Sequence, residues 1–208
     1  MNLIGVFGGT FDPIHYGHLR TVAQVNQHIQ FGKVLFIPAA VPPHRDAPQA
    51  TVEQRVHMLQ LALGKYPGFE IDERELHRDG PSYTVDTLRS LHEDFPESVL
   101  CLIIGMDAFL GFNTWHQWQE IPAVAHIVVI QRPGWNSNEQ FPDWCWQSEF
   151  ESIEALRDKE AGVICMCEVD PIDISASAIR RDLKHGNENT GRLPELVLNY
   201  ILENKLYQ

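Results

Sequence analysis

The chain has 208 residues, of which 44% are hydrophobic, and a formal charge of −12. That length suits a single domain over residues 1–208, large enough to bury roughly 70% of the unfolded chain's surface. The acidic balance argues against a general nucleic-acid binder, which needs an extended basic face, so any arginines that bind an anion must be concentrated at one site.

Met1 to Gly5 carry no basic stretch, and no apolar run reaches the length of a signal peptide core or a membrane span. Cys101, Cys145, Cys165 and Cys167 form no C-x-x-C pair and read as buried free thiols in a reducing compartment. The expectation is a cytoplasmic protein with no membrane partner. Oligomeric state is left open.

Taken in order, Leu3 to Phe7 read as a buried strand, followed by Gly8-Gly9-Thr10-Phe11-Asp12-Pro13-Ile14-His15-Tyr16-Gly17-His18. A helix then carries Leu19, Val22, Ala23, Asn26 and Ile29 at helical spacing. A strand, a glycine turn and a helix start form a natural anion site, because the first helical amides are unpaired and partly positive. The glycines fit neither G-x-G-x-x-G nor the Walker pattern, and the turn holds no lysine. His15 and His18 supply the cationic capacity instead, with a structural or solvated histidine as the plainer alternative.

Val34 to Ile37 form a second strand, so the first unit is βαβ and implies a parallel sheet. The proline-stiffened loop from Pro38 carries His44 and Arg45 away from that strand's carboxyl end. Thr51 and Gln54 spell a capping box ahead of a helix through Val56, Leu59 and Leu63. Phe69 to Asp72 suggest a third strand, and Ser82 a cap for a helix bearing Val85, Leu88 and Leu91. Tyr83 and Thr84 fall in its first turn, where amides can meet a carboxylate.

Val99 to Ile104 form the clearest buried strand and end in Gly105-Met106-Asp107. A carboxylate there is placed to accept from ribose hydroxyls, or else to cap a helix. Phe112, Trp115 and Trp118 read as core or as a stacking surface, and His126 to Ile130 as a strand leading to Arg132. Residues 135–160 suggest a surface insertion, partly helical around Glu151 to Lys159. After the apolar run Val163 to Cys167, residues 171–208 read as a C-terminal helical part. Its first helix begins near Ser175 and Ser177 with Arg180 and Arg181 inside, and its last starts at Pro194 with Leu196, Val197, Tyr200 and Ile201 on one stripe. The fold class expected is α/β, a doubly wound, mostly parallel sheet.

Two segments at opposite ends carry a specific resemblance. Gly8 to Pro13 with His15-Tyr16-Gly17-His18 resembles the signature of the adenylyltransferase-type nucleotidyltransferases, and Ile174-Ser175-Ala176-Ser177-Ala178-Ile179-Arg180 resembles their second signature. Pro42 to Arg45, Ser82 to Thr84, Gly105 to Asp107 and the Trp115/Trp118 segment are further similar to the bacterial nicotinate-nucleotide adenylyltransferase family. Arg45 stands where many members have Lys, and Ser177 where many have Thr.

The resemblance implies a Rossmann-like nucleotidyltransferase fold and transfer of AMP from ATP to nicotinate mononucleotide in NAD biosynthesis. Pyrophosphate would leave in one direct displacement, with Mg²⁺ carried mainly by ATP phosphates and no dedicated protein metal site. It implies His15, His18 and Arg180 as catalytic donors, the histidines in charged forms favoured by polyphosphate. Gly8, Gly9, Thr10, Phe11, His18, Asp107, Ser175, Ser177 and Arg180 would bind ATP. Thr10, Arg45, Tyr83, Thr84, Trp115 and Arg132 would bind the acceptor. Alternatives are the same transfer to nicotinamide mononucleotide or phosphopantetheine, a nucleotide-binding module without turnover, or a dehydrogenase on a similar sheet. The last is disfavoured by the missing G-x-G-x-x-G.

Overall fold

The central strands are apolar on both sides, a pattern suited to a sheet covered on both faces. The computed structural model describes residues 2–40, 47–131, 150–188 and 191–208. Among them the strands are β1 (Asn2–Gly9), β2 (Lys33–Pro38), β3 (Phe69–Ile71), β4 (Ser98–Gly105), β5 (His126–Gln131), β6 (Phe150–Glu151) and β7 (Ile164–Glu168). They form one sheet in the order β3-β2-β1-β4-β5-β7-β6, and every pairing is parallel. This is the doubly wound sheet expected.

Alternation along each strand divides the core in two. Leu3, Val34, Phe36, Val99, Cys101, Ile103 and Val128 face one side. Ile4, Val6, Leu35, Ile37, Leu100, Leu102, Ile104 and Val129 face the other. Helices α1 (Tyr16–Ile29), α2 (Val52–Leu63), α5 (Ala176–Lys184) and α6 (Glu195–Glu203) contribute to the first layer. Helices α3 (Thr84–Asp94) and α4 (Met106–Leu110) contribute to the second. Cys101, Cys165 and Cys167 are buried free thiols, as expected; Cys145 lies outside the described residues.

Local expectations hold at α2, where Thr51 Oγ1 accepts from the Gln54 amide at 3.3 Å and Gln54 Oε1 from the Thr51 amide at 2.9 Å. Others change. Ser82 does not cap α3: Tyr83 occupies the cap position without a side-chain bond, and Ser82 Oγ accepts from the Ala40 amide at 3.2 Å. In α1 the buried stripe is Leu19, Val22, Val25 and Ile29. Asn26 leaves it to accept the Phe31 amide at 3.0 Å beyond the helix end. In α6, which packs on α2, Val197 and Ile201 are buried in the first layer but Leu196 is 49% exposed. Residues 150–160 form edge strand β6 and a 3-10 turn over Ile153–Arg157 whose Leu156 is fully buried. Residues 135–149 of the expected insertion lie outside the described residues.

Candidate active site

The order in which strands are added reverses between β1 and β4, and a doubly wound fold holds its ligands at the carboxyl ends of strands at that point. The Gly8–His18 segment emerges there. Phe11, buried and at φ +50°, turns its ring back onto Gly9, where a Cβ would stand 2.8 Å from it. A Cβ at Gly8 would meet nothing within 4 Å. Gly9 is thus required by the protein's own packing, and Gly8 leaves open space for a ligand.

His15 is the N-cap of α1 and is buried. Its ring stacks on that of His18, with centroids 3.8 Å apart and planes 21° from parallel. His18 also meets the Phe11 ring edge-on at 5.3 Å. Gly17 makes this possible, since a Cβ there would lie 2.7 Å from His15 Nδ1 and 3.0 Å from the Ile174 carbonyl. The same close approach joins the first signature to the start of the second. Burial, helped by the nearby Arg192 charge, lowers the His15 pKa from 6.5 to about 4. In the protein alone this imidazole is therefore neutral at pH 7, where the sequence suggested a charged form beside polyphosphate. Its Nδ1 is buried with no partner among the described residues.

The second segment arrives from 168 residues away. Ser175 caps α5, its hydroxyl accepting from the Ala178 amide at 3.3 Å. One turn on, Arg180 Nη1 donates to the Asp12 carbonyl at 2.6 Å and lies 3.8 Å from Asp12 Oδ2. Exposed Ser177 and half-buried Arg180 line a cleft of about 490 Å³ with Gln49, Arg181, Lys184, His185, Tyr207 and Gln208. Arg180, Arg181 and Lys184 place three cationic side chains on this flank of α5, a local concentration on an otherwise acidic protein.

Asp107 follows β4 at the start of α4, exposed, with Oδ1 folded over Gly105, where a Cβ would come within 2.7 Å. Tyr83 and Thr84 begin α3, and the Tyr83 ring stacks on His116 at 4.2 Å. His116 adjoins Trp115 in the chain, and Trp115 is half-buried and packs on Phe112 at 5.3 Å. Trp115 is thus partly core and partly surface. Arg45 and Arg132 lie outside the described residues.

Four further residues support the site and were not singled out from the sequence. Asp12, 5% exposed, accepts from the amides of Gln49 (2.9 Å) and Ala50 (3.1 Å) and from the Tyr207 hydroxyl (2.7 Å). Arg55, 1% exposed, donates to the Thr10 carbonyl at 2.7 Å. Beneath α3, buried Glu75 accepts from the Thr87 hydroxyl at 2.7 Å. Burial raises the pKa of its carboxyl. Asp12 sat inside a recognised motif, but nothing near Arg55, Glu75 or Tyr207 in the chain marks them.

A sheet of this order with anion donors at its switch point is the arrangement of a nucleotidyltransferase. The cytidylyltransferase-like family model matches residues 6–182, and the chain belongs to that family. It is 45% identical over 206 residues to a protein of Acidithiobacillus ferrooxidans, covering 98% of this chain and 94% of that one. It is 43% identical over 209 residues to one of Klebsiella pneumoniae (strain 342), covering 99% and 97%. Both carry the name "Probable nicotinate-nucleotide adenylyltransferase". At that identity and coverage the chain falls within the nicotinate-nucleotide adenylyltransferases of the family. The Plasmodium falciparum nicotinic acid mononucleotide adenylyltransferase complexed with NaAD shares the fold at TM-score 0.74 and 15% identity, covering 100% of this chain and 98% of that one.

Proposed function

We propose that this chain joins ATP and nicotinate mononucleotide into nicotinate adenine dinucleotide and pyrophosphate. An oxygen of the acceptor's 5′-phosphate bonds to the α-phosphorus of ATP as the bond to the β-phosphate oxygen breaks. The acceptor phosphate is already anionic near neutral pH, so no protein nucleophile is needed. Alignment and charge stabilisation supply the rate.

His15 and His18 donate to the phosphoryl oxygens where charge gathers. Ser177 and Arg180 hold the β- and γ-phosphates and the leaving pyrophosphate. Amides of Gly8 to Phe11 approach the phosphates, with Thr10 facing both substrates, and Ser175 completes the helix mouth. Asp107 accepts from the adenosine ribose. On the acceptor side the α3 amides at Tyr83 and Thr84 receive the nicotinate carboxylate, Trp115 stacks on the pyridine ring, and Arg45 and Arg132 anchor the 5′-phosphate. A helix start rewards a negative group, which favours nicotinate over nicotinamide.

The cleft carries Arg180, Arg181 and Lys184, which suit phosphate oxygens. Mg²⁺ enters with ATP, bound by phosphate oxygens and water, as part of the substrate. A cytoplasmic location goes with this reading, since buried free thiols suit a reducing compartment. No described helix is long and apolar enough to cross a membrane.

The observation that carries the reading is the Arg180–Asp12 carbonyl bond, which sets the second signature's arginine against the first signature's turn. Its test is pyrophosphate release on incubation with ATP, Mg²⁺ and each of nicotinate mononucleotide, nicotinamide mononucleotide and phosphopantetheine. Release with the nicotinate acceptor above the other two is expected. No release with it overturns the assignment.

A further inference from the structure

The cationic cleft and the glycine turn share one buried contact. Tyr207, which follows α6, is 8% exposed and lines the cleft beside Arg180. Its hydroxyl points the other way, donating to Asp12 Oδ1 at 2.7 Å across 195 residues. Asp12 in turn faces Arg180 twice, through its carbonyl at 2.6 Å and through Oδ2 at 3.8 Å. Tyr207 sits in the left-handed backbone region at φ +64°, as does Phe11, the chain neighbour of Asp12, at φ +50°. Non-glycine residues adopt that conformation uncommonly, and surrounding contacts hold it.

We propose that Tyr207 is a positioning residue which, through the Asp12 carboxylate, fixes the Arg180 guanidinium against the Gly8–Pro13 turn and so sets how tightly the cleft grips polyphosphate. This rests on the adenylyl-transfer reading above, which assigns Arg180 to the ATP phosphates.

The physics is one of competition. Asp12 has three donors besides Arg180: two backbone amides and the tyrosine hydroxyl. Burial and the neighbouring carboxylate raise the Tyr207 pKa, so this hydroxyl keeps its proton across the working range. While it donates to Oδ1, the demand of Asp12 on the arginine is limited, and Arg180 can give its remaining N–H groups to a ligand. When the hydroxyl is lost, a buried carboxylate is left short of a partner. The charge 3.8 Å away is the ready replacement, and Arg180 is drawn from the cleft toward Asp12.

Tyr207→Phe removes the oxygen and keeps the ring. Calorimetry with pyrophosphate and Mg²⁺, on the full chain, reads the effect without depending on any acceptor. Binding is expected to weaken about fivefold in Tyr207→Phe, and less than about twofold when the same change is made in an Arg180→Ala background. The KM for ATP should rise with it while the KM for nicotinate mononucleotide stays put. Equal weakening in both backgrounds, or none in either, overturns the proposal, since a merely structural tyrosine would act additively with Arg180. Thermal unfolding establishes that each variant is folded, and Asp12→Asn probes the same contact from its other end with the same expected dependence on Arg180. If wild-type protein binds pyrophosphate with this coupling but releases none from ATP and nicotinate mononucleotide, the function fails and the relay stands.

Discussion

His15 and His18 lie face to face, 3.8 Å between ring centroids, at the first turn of α1. Two imidazolium rings so close would repel, and burial keeps His15 neutral with a pKa of about 4. Burial beside the Arg192 charge therefore leaves His15 uncharged near neutral pH in the protein alone.

His18 is the donor assigned to the reacting phosphoryl group. Replacing it by Ala should lower turnover about a hundredfold or more, the usual cost of losing one transition-state donor. Circular dichroism and thermal unfolding should stay close to wild type. Normal pyrophosphate release from the variant would remove His18 from this role.

His15 makes stability depend on pH in a defined direction. Its folded pKa of about 4 lies below the unfolded 6.5. Between those values the unfolded chain binds a proton that the folded one refuses, so stability rises with pH across the window and is lost as pH falls through it. The shift corresponds to roughly 3 kcal/mol. Urea unfolding at pH 7 and at about pH 4.5 should show a smaller acid loss in His15→Gln than in wild type. Identical losses would mean that His15 is not the group responsible.

Gly8 and Gly17 make a matched pair of tests. A methyl at Gly17 collides with His15 Nδ1 and the Ile174 carbonyl, so Gly17→Ala should displace the stacked histidines and cut activity about tenfold or more. A methyl at Gly8 meets nothing within 4 Å. Gly8→Ala should leave the melting temperature unchanged yet weaken ATP, because the space it fills belongs to the ligand. A Gly8→Ala protein with wild-type ATP affinity would exclude close approach of phosphate there.

Trp115 divides its surface between Phe112 and solvent. Trp115→Ala should raise the KM for the pyridine nucleotide more than that for ATP, by about fivefold to tenfold, as expected for loss of a stacking face. Equal increases for both substrates would make its packing on Phe112 the main contribution.

Features with a local cause were legible in the sequence. The β1–α1–β2 unit, the Thr51 capping box and the apolar β4 are written in neighbouring residues, and the two signature segments touch each other through Arg180 and the Asp12 carbonyl. What escaped reading depends on distant partners. Ser82 looked like a helix cap, but the Ala40 amide, 42 residues away, takes its oxygen. Edge strand β6 is two residues long, too short to show a period. The neutrality of His15 comes from burial beside Arg192. Arg55 reaches the Thr10 carbonyl across 45 residues, and nothing in its own helix announces it.

Asp12 also bears on how the protein is made. Its partners lie 37, 168 and 195 residues along the chain. A nascent chain emerging from the ribosome can pair β1 through β4 once about half its length is out, because those strands and their helices precede residue 106. The arginine and the tyrosine that complete the Asp12 cluster are not yet translated. Synthesis therefore delivers the scaffold early, and the capacity to act on ATP only with the last stretch of chain.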